Sequence, residues 1–310
     1  MKAGRYFRGN EIRPFFLGSG ARIFDWSVLN STRVAGRVRA RASAALHSGT
    51  DSDFLSALQE IEPWLGENPD FFRETSQAAE LPATILEQPL PPPVRPRKLI
   101  CVGLNYRDHA KESNMELPVR PLLFAKTANA VNGHNHVIPI PDTCKQLDYE
   151  AELAVVVGGT CRGVRAADAM GFVAGYTCMN DISARDFQFA DGQWFRGKSC
   201  DGFAPIGPWI VTPNEIPDHR SLRLRCLVNG EVMQDSTTAN LVFDVPSLIE
   251  FISSFITLDA GDLIATGTPP GVGFARKPPV FLRDGDRVDI EIENVGLLRN
   301  KVKARGESNV

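Results

Sequence analysis

Long apolar runs are missing from this 310-residue chain. The longest, such as Leu153–Val157, fall far short of the roughly 18 residues that a bilayer-spanning helix needs. The opening residues, Met1-Lys2-Ala3-Gly4-Arg5-Tyr6-Phe7-Arg8, hold nothing like the apolar stretch of about 7–15 residues in a secretory signal. Neither a membrane protein nor an exported one is expected. Charge of one sign is missing too. Lys and Arg number 34 against 37 Asp and Glu, a net charge of −3, so no field draws the chain to phosphate backbones and nucleic acid is not an expected partner. The six cysteines, at 101, 144, 161, 178, 200 and 226, form no CxxC pair and have no histidine at zinc-ligand spacing. Zinc has no support. In a chain this long they read as reduced thiols, which suits a cytoplasmic protein and leaves an organelle matrix open.

Proline is concentrated where the chain changes character. Pro82, Pro89, Pro91, Pro92, Pro93 and Pro96 fall between Leu81 and Arg97, and a triple proline neither continues a helix nor donates to a sheet. Residues 81–97 are therefore expected to link a small N-terminal α/β domain (1–80) to a larger domain (98–305). The first part carries two helical patterns, Val34–His47 and Asp53–Ala79. In the second of these Phe54, Leu55, Leu58, Ile61 and Leu65 recur at helical spacing. Nothing in this part gathers groups for chemistry, so a structural, dimerising or cleft-shaping role is expected.

The larger part is strand-rich. Leu99–Val102, Val137–Pro139, Glu150–Val157, Phe172–Met179, Trp209–Val211, Leu222–Val228, Leu263–Thr266 and Arg287–Ile292 read as strands. Asn229-Gly230 is a two-residue hairpin signal, since a type I′ turn needs positive φ twice, and a second hairpin is expected at Asn294-Val295-Gly296. Val245–Phe255 is the clearest helix, and Ala166–Ala169 opens a short one. Many strands with few intervening helices give an α+β class, mainly β. The stretch Gly267–Gly273 lacks the Gly-Lys-Ser/Thr ending of a phosphate loop, and Gly158-Gly159 reads as a turn.

Chemistry concentrates in Tyr149-Glu150-Ala151-Glu152-Leu153. In a strand Glu150 and Glu152 share one face, about 6–7 Å apart, together with apolar Ala154 and Val156. Two like charges on a partly buried face raise each other's pKa, and a divalent cation would neutralise both. The pair alone fits an exposed strand end equally well. Asp181, following a second apolar strand, tips the reading toward metal: three carboxylates without His or Cys are a hard oxygen set suited to Mg²⁺, Mn²⁺ or Ca²⁺. His109 and Glu112 become i,i+3 neighbours if a helix starts there, and a carboxylate-held imidazole is a usual proton acceptor. A surface helix histidine is the other reading. Lys126 and Lys198 are lone cations among apolar or small residues; each fits a buried oxyanion-stabilising role or a snorkelling surface lysine. His134 and His136 sit in a Gly/Asn turn.

These pieces fall in one order: VGLNYRDHAKE (102–112), FAKT (124–127), DYEAELAVVVG (148–158), NDISARD (180–186), RGKS (196–199), VNGEVMQ (228–234) and TGTPPGVG (266–273). In this the chain resembles the fumarylacetoacetate hydrolase superfamily, in the branch of acylpyruvate and diketo-acid hydrolases and oxaloacetate tautomerase-like proteins. The resemblance implies a mixed β-sandwich roll, usually a homodimer. It implies Glu150, Glu152 and Asp181 as ligands of Mg²⁺ or Mn²⁺, His109 and Glu112 as the water-activating or proton-moving dyad, and Lys198 as the enolate-stabilising cation. Arg185, Gln188, Lys126 and Thr268 match substrate-pocket positions. The acid that the fumarylacetoacetate-cleaving branch carries before the histidine is absent from Cys101–Asn105, which argues against fumarylacetoacetate as substrate.

The expected reaction is cleavage of the C3–C4 bond of a 2,4-diketo acid through an enolate, giving a 2-oxo acid and a carboxylic acid. Tautomerisation of oxaloacetate, isomerisation or decarboxylation at the same site is the alternative, and a non-catalytic metal-binding protein the least favoured. The aromatic run Phe187–Phe195 is expected either to wall the pocket or to pack in an interface.

Overall fold

The computed structural model describes residues 1–18, 22–30, 34–68, 70–71, 80–112 and 116–304. Its described strands form two main sheets and one two-stranded ribbon. The central strands of the large sheet, Ala151–Val157 and Val173–Asn180, are buried along their whole length. That is why they read as near-continuous apolar runs rather than as alternating ones. They pair antiparallel with each other, Ala151 opposite Asn180 and Glu152 opposite Met179. Outward from Ala151–Val157 the sheet continues through Leu263–Ala265, Leu99–Gly103 and Leu122–Lys126. The first two of these pair parallel, so their C-terminal ends emerge together.

On the other side, Val173–Asn180 pairs with Ala204–Val211, which pairs in turn with the N-terminal strand Lys2–Arg8. Glu11–Leu17, Ile23–Asp25 and Glu80–Leu81 extend the sheet to its edge. The N-terminal part therefore continues the large sheet, with Gly4 opposite Trp209. One apolar cluster joins its Phe16 and Phe54 to Leu153 and Ile206. The proline-rich stretch separating the two expected domains packs down instead of bridging a gap: Leu90 and Val94 are buried, and the Leu90 N–H donates to the His134 carbonyl.

The second sheet runs Glu231–Thr237, Arg223–Val228, Arg287–Ile292, Gly296–Ala304 and Val137–Ile140. Arg223–Val228 alternates exposed and buried positions, as an antiparallel strand with one wet face does. Both hairpins turn where expected, with positive φ at Asn229, Gly230 and Asn294.

Among the helices, Asp51–Glu67 is capped by Thr50, whose hydroxyl accepts from the Asp53 N–H, and it buries Phe54, Leu55, Leu58 and Ile61. The remainder of the expected Asp53–Ala79 helix falls largely outside the described residues. Gly36–Ser48 packs beside it. Val245–Ser253 is capped by Asp244 and stops two residues before the expected Phe255, and Ala166–Phe172 is a 3₁₀ segment. Among the described residues no helix is long and apolar enough to cross a membrane.

Candidate active site

Glu150 precedes the central strand, Glu152 lies within it, and Asp181 follows its partner strand. The antiparallel register thus brings all three acids to one end of the large sheet. One carboxylate oxygen from each lies within 4.8 Å of those of the other two, and all three side chains are buried. Two cross-strand bonds hold the arrangement: the Asp181 N–H donates to the Glu150 carbonyl at 2.9 Å, and the Glu150 N–H donates to Asn180 Oδ1 at 3.0 Å.

Three cations balance these acids. Lys198 Nζ donates to Glu150 Oε2 and to Asp181 Oδ2, both at 2.7 Å. Lys126 Nζ donates to Asp181 Oδ1 and to the Ile182 carbonyl. Arg185 spends its fork on Glu150 Oε1 (2.6 Å), Asp148 Oδ2 (2.8 Å) and Gln188 Oε1 (2.9 Å).

The balance is uneven, and the pKa values diverge accordingly. Burial works to raise the Glu150 value, but Lys198 and Arg185 override it and hold the carboxyl at about 2. Glu152 lacks such a partner. Burial, then the charges of Asp181 and Glu150, push it well above the usual carboxylate range, against the weaker pull of Lys198 and a 2.8 Å bond from the Gly267 N–H. For Lys198 burial lowers the value, and Asp181 and Glu150 more than reverse this, so it is held as an ammonium. A buried, all-oxygen trio with one member in excess negative charge fits a divalent cation.

The helix Arg107–Glu112 places His109 beside this cluster. Its preceding loop is sewn down by Asn105, whose side chain donates to the carbonyls of Thr266 (2.8 Å) and Phe243 (3.0 Å). Leu104 holds a left-handed φ of 54° there. Asp108 anchors the helix by accepting from Ser236 and Asn240. His109 Nδ1 faces Glu112 Oε2 at 3.3 Å, and both Glu112 oxygens accept from the Gly271 N–H at 3.1 Å. Burial raises the Glu112 pKa; His109 and Gly271 outweigh it, and the value ends below the usual one. Gly271 is required as glycine, since its φ is 98° and a Cβ would stand 2.2 Å from the Met233 carbonyl oxygen.

A cavity of about 370 Å³ opens onto Glu150, Glu152, Lys198, Arg185, His109 and Glu112. Gln188 and Thr268 line it as well. Lys126, expected at the substrate pocket, is not among the lining residues; it is buried against Asp181. Within the aromatic run, Phe189 and Trp194 face the cavity, whereas Phe195 is 59% exposed. His134 is also remote, its Nδ1 accepting from the Arg299 N–H.

Sequence reasoning missed Asp148. Besides Arg185, it accepts from the N–H groups of Gly273 (2.7 Å) and Phe274 (3.1 Å), tying the glycine-rich loop to the acid cluster. Its position two residues before Glu150, on the same strand parity, was the available signal.

A buried acid trio at the end of a mixed sheet, with a histidine dyad facing one cavity, defines a class of all-oxygen donor set that could hold a divalent cation. Comparison with known proteins gives the family. The model described as fumarylacetoacetate (FAA) hydrolase C-terminal matches residues 98–303, and the chain belongs to this family, whose members are enzymes. Oxaloacetate tautomerase Fahd2a, mitochondrial, of Rattus norvegicus is 47% identical over 228 residues, covering 73% of each chain. The solved fumarylacetoacetate hydrolase (EaFAH) from psychrophilic Exiguobacterium antarcticum is 34% identical, covering 98% of this chain and 100% of that one, at a TM-score of 0.79. A 5-carboxymethyl-2-hydroxymuconate delta-isomerase from Mycobacterium smegmatis is 33% identical, covering 99% and 100%, at a TM-score of 0.73.

Proposed function

We propose that this chain is a divalent-cation-dependent enzyme that interconverts the keto and enol forms of a 2-oxo acid. The observation carrying the reading is that the His109–Glu112 dyad and the Lys198 ammonium face the same cavity as the Glu150–Glu152 carboxylates. Glu150, Glu152 and Asp181 would hold Mg²⁺ or Mn²⁺, which polarises a substrate carbonyl when bound.

The chain's own groups do the rest. Going from keto to enol removes one proton from C3 and adds one to the 2-oxo oxygen. With Nδ1–H donated to Glu112, His109 keeps Nε2 as the acceptor for the C3 proton. Lys198 gives two of its three N–H bonds to Glu150 and Asp181, leaving the third for the oxygen on which negative charge develops. The tautomerase relative supports this reading over bond cleavage.

A second reading, hydrolysis of the C3–C4 bond of a 2,4-diketo acid, draws on the hydrolase neighbour. There His109 would take its proton from water attacking C4. One pair of assays separates the two. Decay of the oxaloacetate enol band, with Mg²⁺ or Mn²⁺ and then with chelator, should show cation-dependent exchange. Silence there, with cation-dependent release of pyruvate from an acylpyruvate, would replace tautomerisation by hydrolysis.

A further inference from the structure

Asp148 is a buried acid that the proposed chemistry leaves without a task. Its side chain is fully buried and does not line the cavity. Oδ1 accepts from the N–H groups of Tyr149 (2.8 Å) and Gly273 (2.7 Å). Oδ2 accepts from the Phe274 N–H (3.1 Å) and from Arg185 Nε (2.8 Å). A carboxylate offers about four lone-pair sites, so all are filled and none is left for a cation or a substrate. The sequence makes room for this carboxylate. A Cβ on residue 273 would stand 2.6 Å from Asp148 Oδ1 and 2.0 Å from the Val280 carbonyl oxygen, so that position needs glycine.

Two series of bonds lead away from Asp148. One runs through Arg185, whose Nε serves Asp148 and whose Nη2 serves Glu150 Oε1 at 2.6 Å. The other runs through the glycine-rich loop. Asp148 holds Gly273 and Phe274, and Gly271, two residues earlier, holds Glu112, which faces His109 Nδ1. Asp148 therefore stands between the acid trio and the dyad. It also decides how much of the Arg185 charge falls on Glu150. With every carboxylate ionised, Asp148, Glu150, Glu152 and Asp181 face the three cations Arg185, Lys198 and Lys126, which leaves one negative charge for an incoming cation. Without the Asp148 charge none is left, and Arg185 competes undivided for Glu150.

We infer that Asp148 is a positioning residue: it sets the cation affinity of the acid trio through Arg185, and the seat of the His109–Glu112 dyad through the glycine-rich loop. The inference rests on the reading of Glu150, Glu152 and Asp181 as metal ligands, and adds to it a residue that touches neither cation nor substrate. Shape alone does not meet the requirement. Asparagine is nearly isosteric, but its amide nitrogen would turn N–H groups toward two donors, either Tyr149 and Gly273 or Phe274 and Arg185.

Calorimetry with Mg²⁺ alone and ¹⁵N NMR of the metal-free protein test this, and neither reads turnover. Asp148→Asn should weaken Mg²⁺ binding about 10- to 100-fold. In the parent, His109 held by Glu112 should show a single Nδ1–H tautomer at a pH well above the usual imidazole value of about 6.5. In the variant the two tautomers should mix. Leu58→Ala, on the buried face of the helix Asp51–Glu67, should lower the melting temperature and leave both readouts at parent values, which separates positioning from general loosening. If Asp148→Asn does not fold, the double variant Asp148→Asn/Arg185→Gln removes the buried charge pair together, and its His109 should show the same mixing. Parent-like Mg²⁺ affinity or a parent-like His109 tautomer in the Asp148 variant, or equal changes in Leu58→Ala, would overturn the inference and leave the ligand reading standing. A parent protein that binds no Mg²⁺ would overturn both.

Discussion

Glu152→Gln should make the protein more stable without metal and useless with it. The carboxyl is buried between Asp181 and Glu150, and burial together with those charges raises its folded pKa well above the unfolded 4.5. A group whose folded value is raised contributes nothing unfavourable below the unfolded value and costs stability as the pH climbs past it. At pH 7 the penalty reaches at most about 3 kcal/mol, the cost of keeping a proton on a carboxyl that would otherwise lose it. Glutamine keeps an acceptor for the Gly267 N–H and carries no charge. In chelator at pH 7 the variant should therefore melt higher, by up to about 5 °C at the full penalty, and the advantage should shrink toward zero near pH 4.5. Added Mg²⁺ should reverse the order, because only the parent retains three carboxylates. Thermal melts at pH 4.5 and 7, with chelator and then with Mg²⁺, give all four comparisons. A variant less stable than the parent in chelator at pH 7, or an advantage indifferent to pH, would refute the reasoning.

His109→Ala should lower turnover about 10²- to 10⁴-fold while leaving Mg²⁺ affinity within a few-fold, since no acid of the trio bonds to the imidazole; calorimetry with the metal alone separates the two effects. Gly271→Ala forces a left-handed backbone on a residue with a Cβ and drives that Cβ into Met233. It should cost roughly 2–4 kcal/mol in urea unfolding and release Glu112, so turnover falls with stability. Lys126→Met leaves Asp181 with Lys198 as its remaining cation; unfolding with chelator should show a loss of about 3–5 kcal/mol, partly recovered when Mg²⁺ is added. Light scattering should give a mass of two chains if the homodimer common in the family holds here.

What the sequence revealed and what it hid follow from how local each determinant is. Glu150, Glu152 and Asp181 stand out because carboxylates interrupt or bound near-continuous apolar runs, a contrast that can be read residue by residue. The Asn229-Gly230 turn needs only its own two φ angles. The strand Ala204–Val211 was legible only at its end, from Trp209 onward. Pro205, Gly207 and Pro208 argue against a strand locally, and they are tolerated beside a register shift in the pairing with Tyr176 and Cys178. The N-terminal strand looks like the start of a separate unit because nothing in Lys2–Arg8 names a partner two hundred residues away. Charged side chains in the core are the extreme case. Lys126, flanked by Ala125 and Thr127, gives no local sign of whether it faces substrate, water or another side chain; Asp181, 55 residues on, decides it. Asp148 and Arg185 repeat the pattern across 37 residues. An ion pair that must leave water is specified by the fold that brings its halves together. Sequence therefore names the charged residues of this site more readily than it names which of them pair.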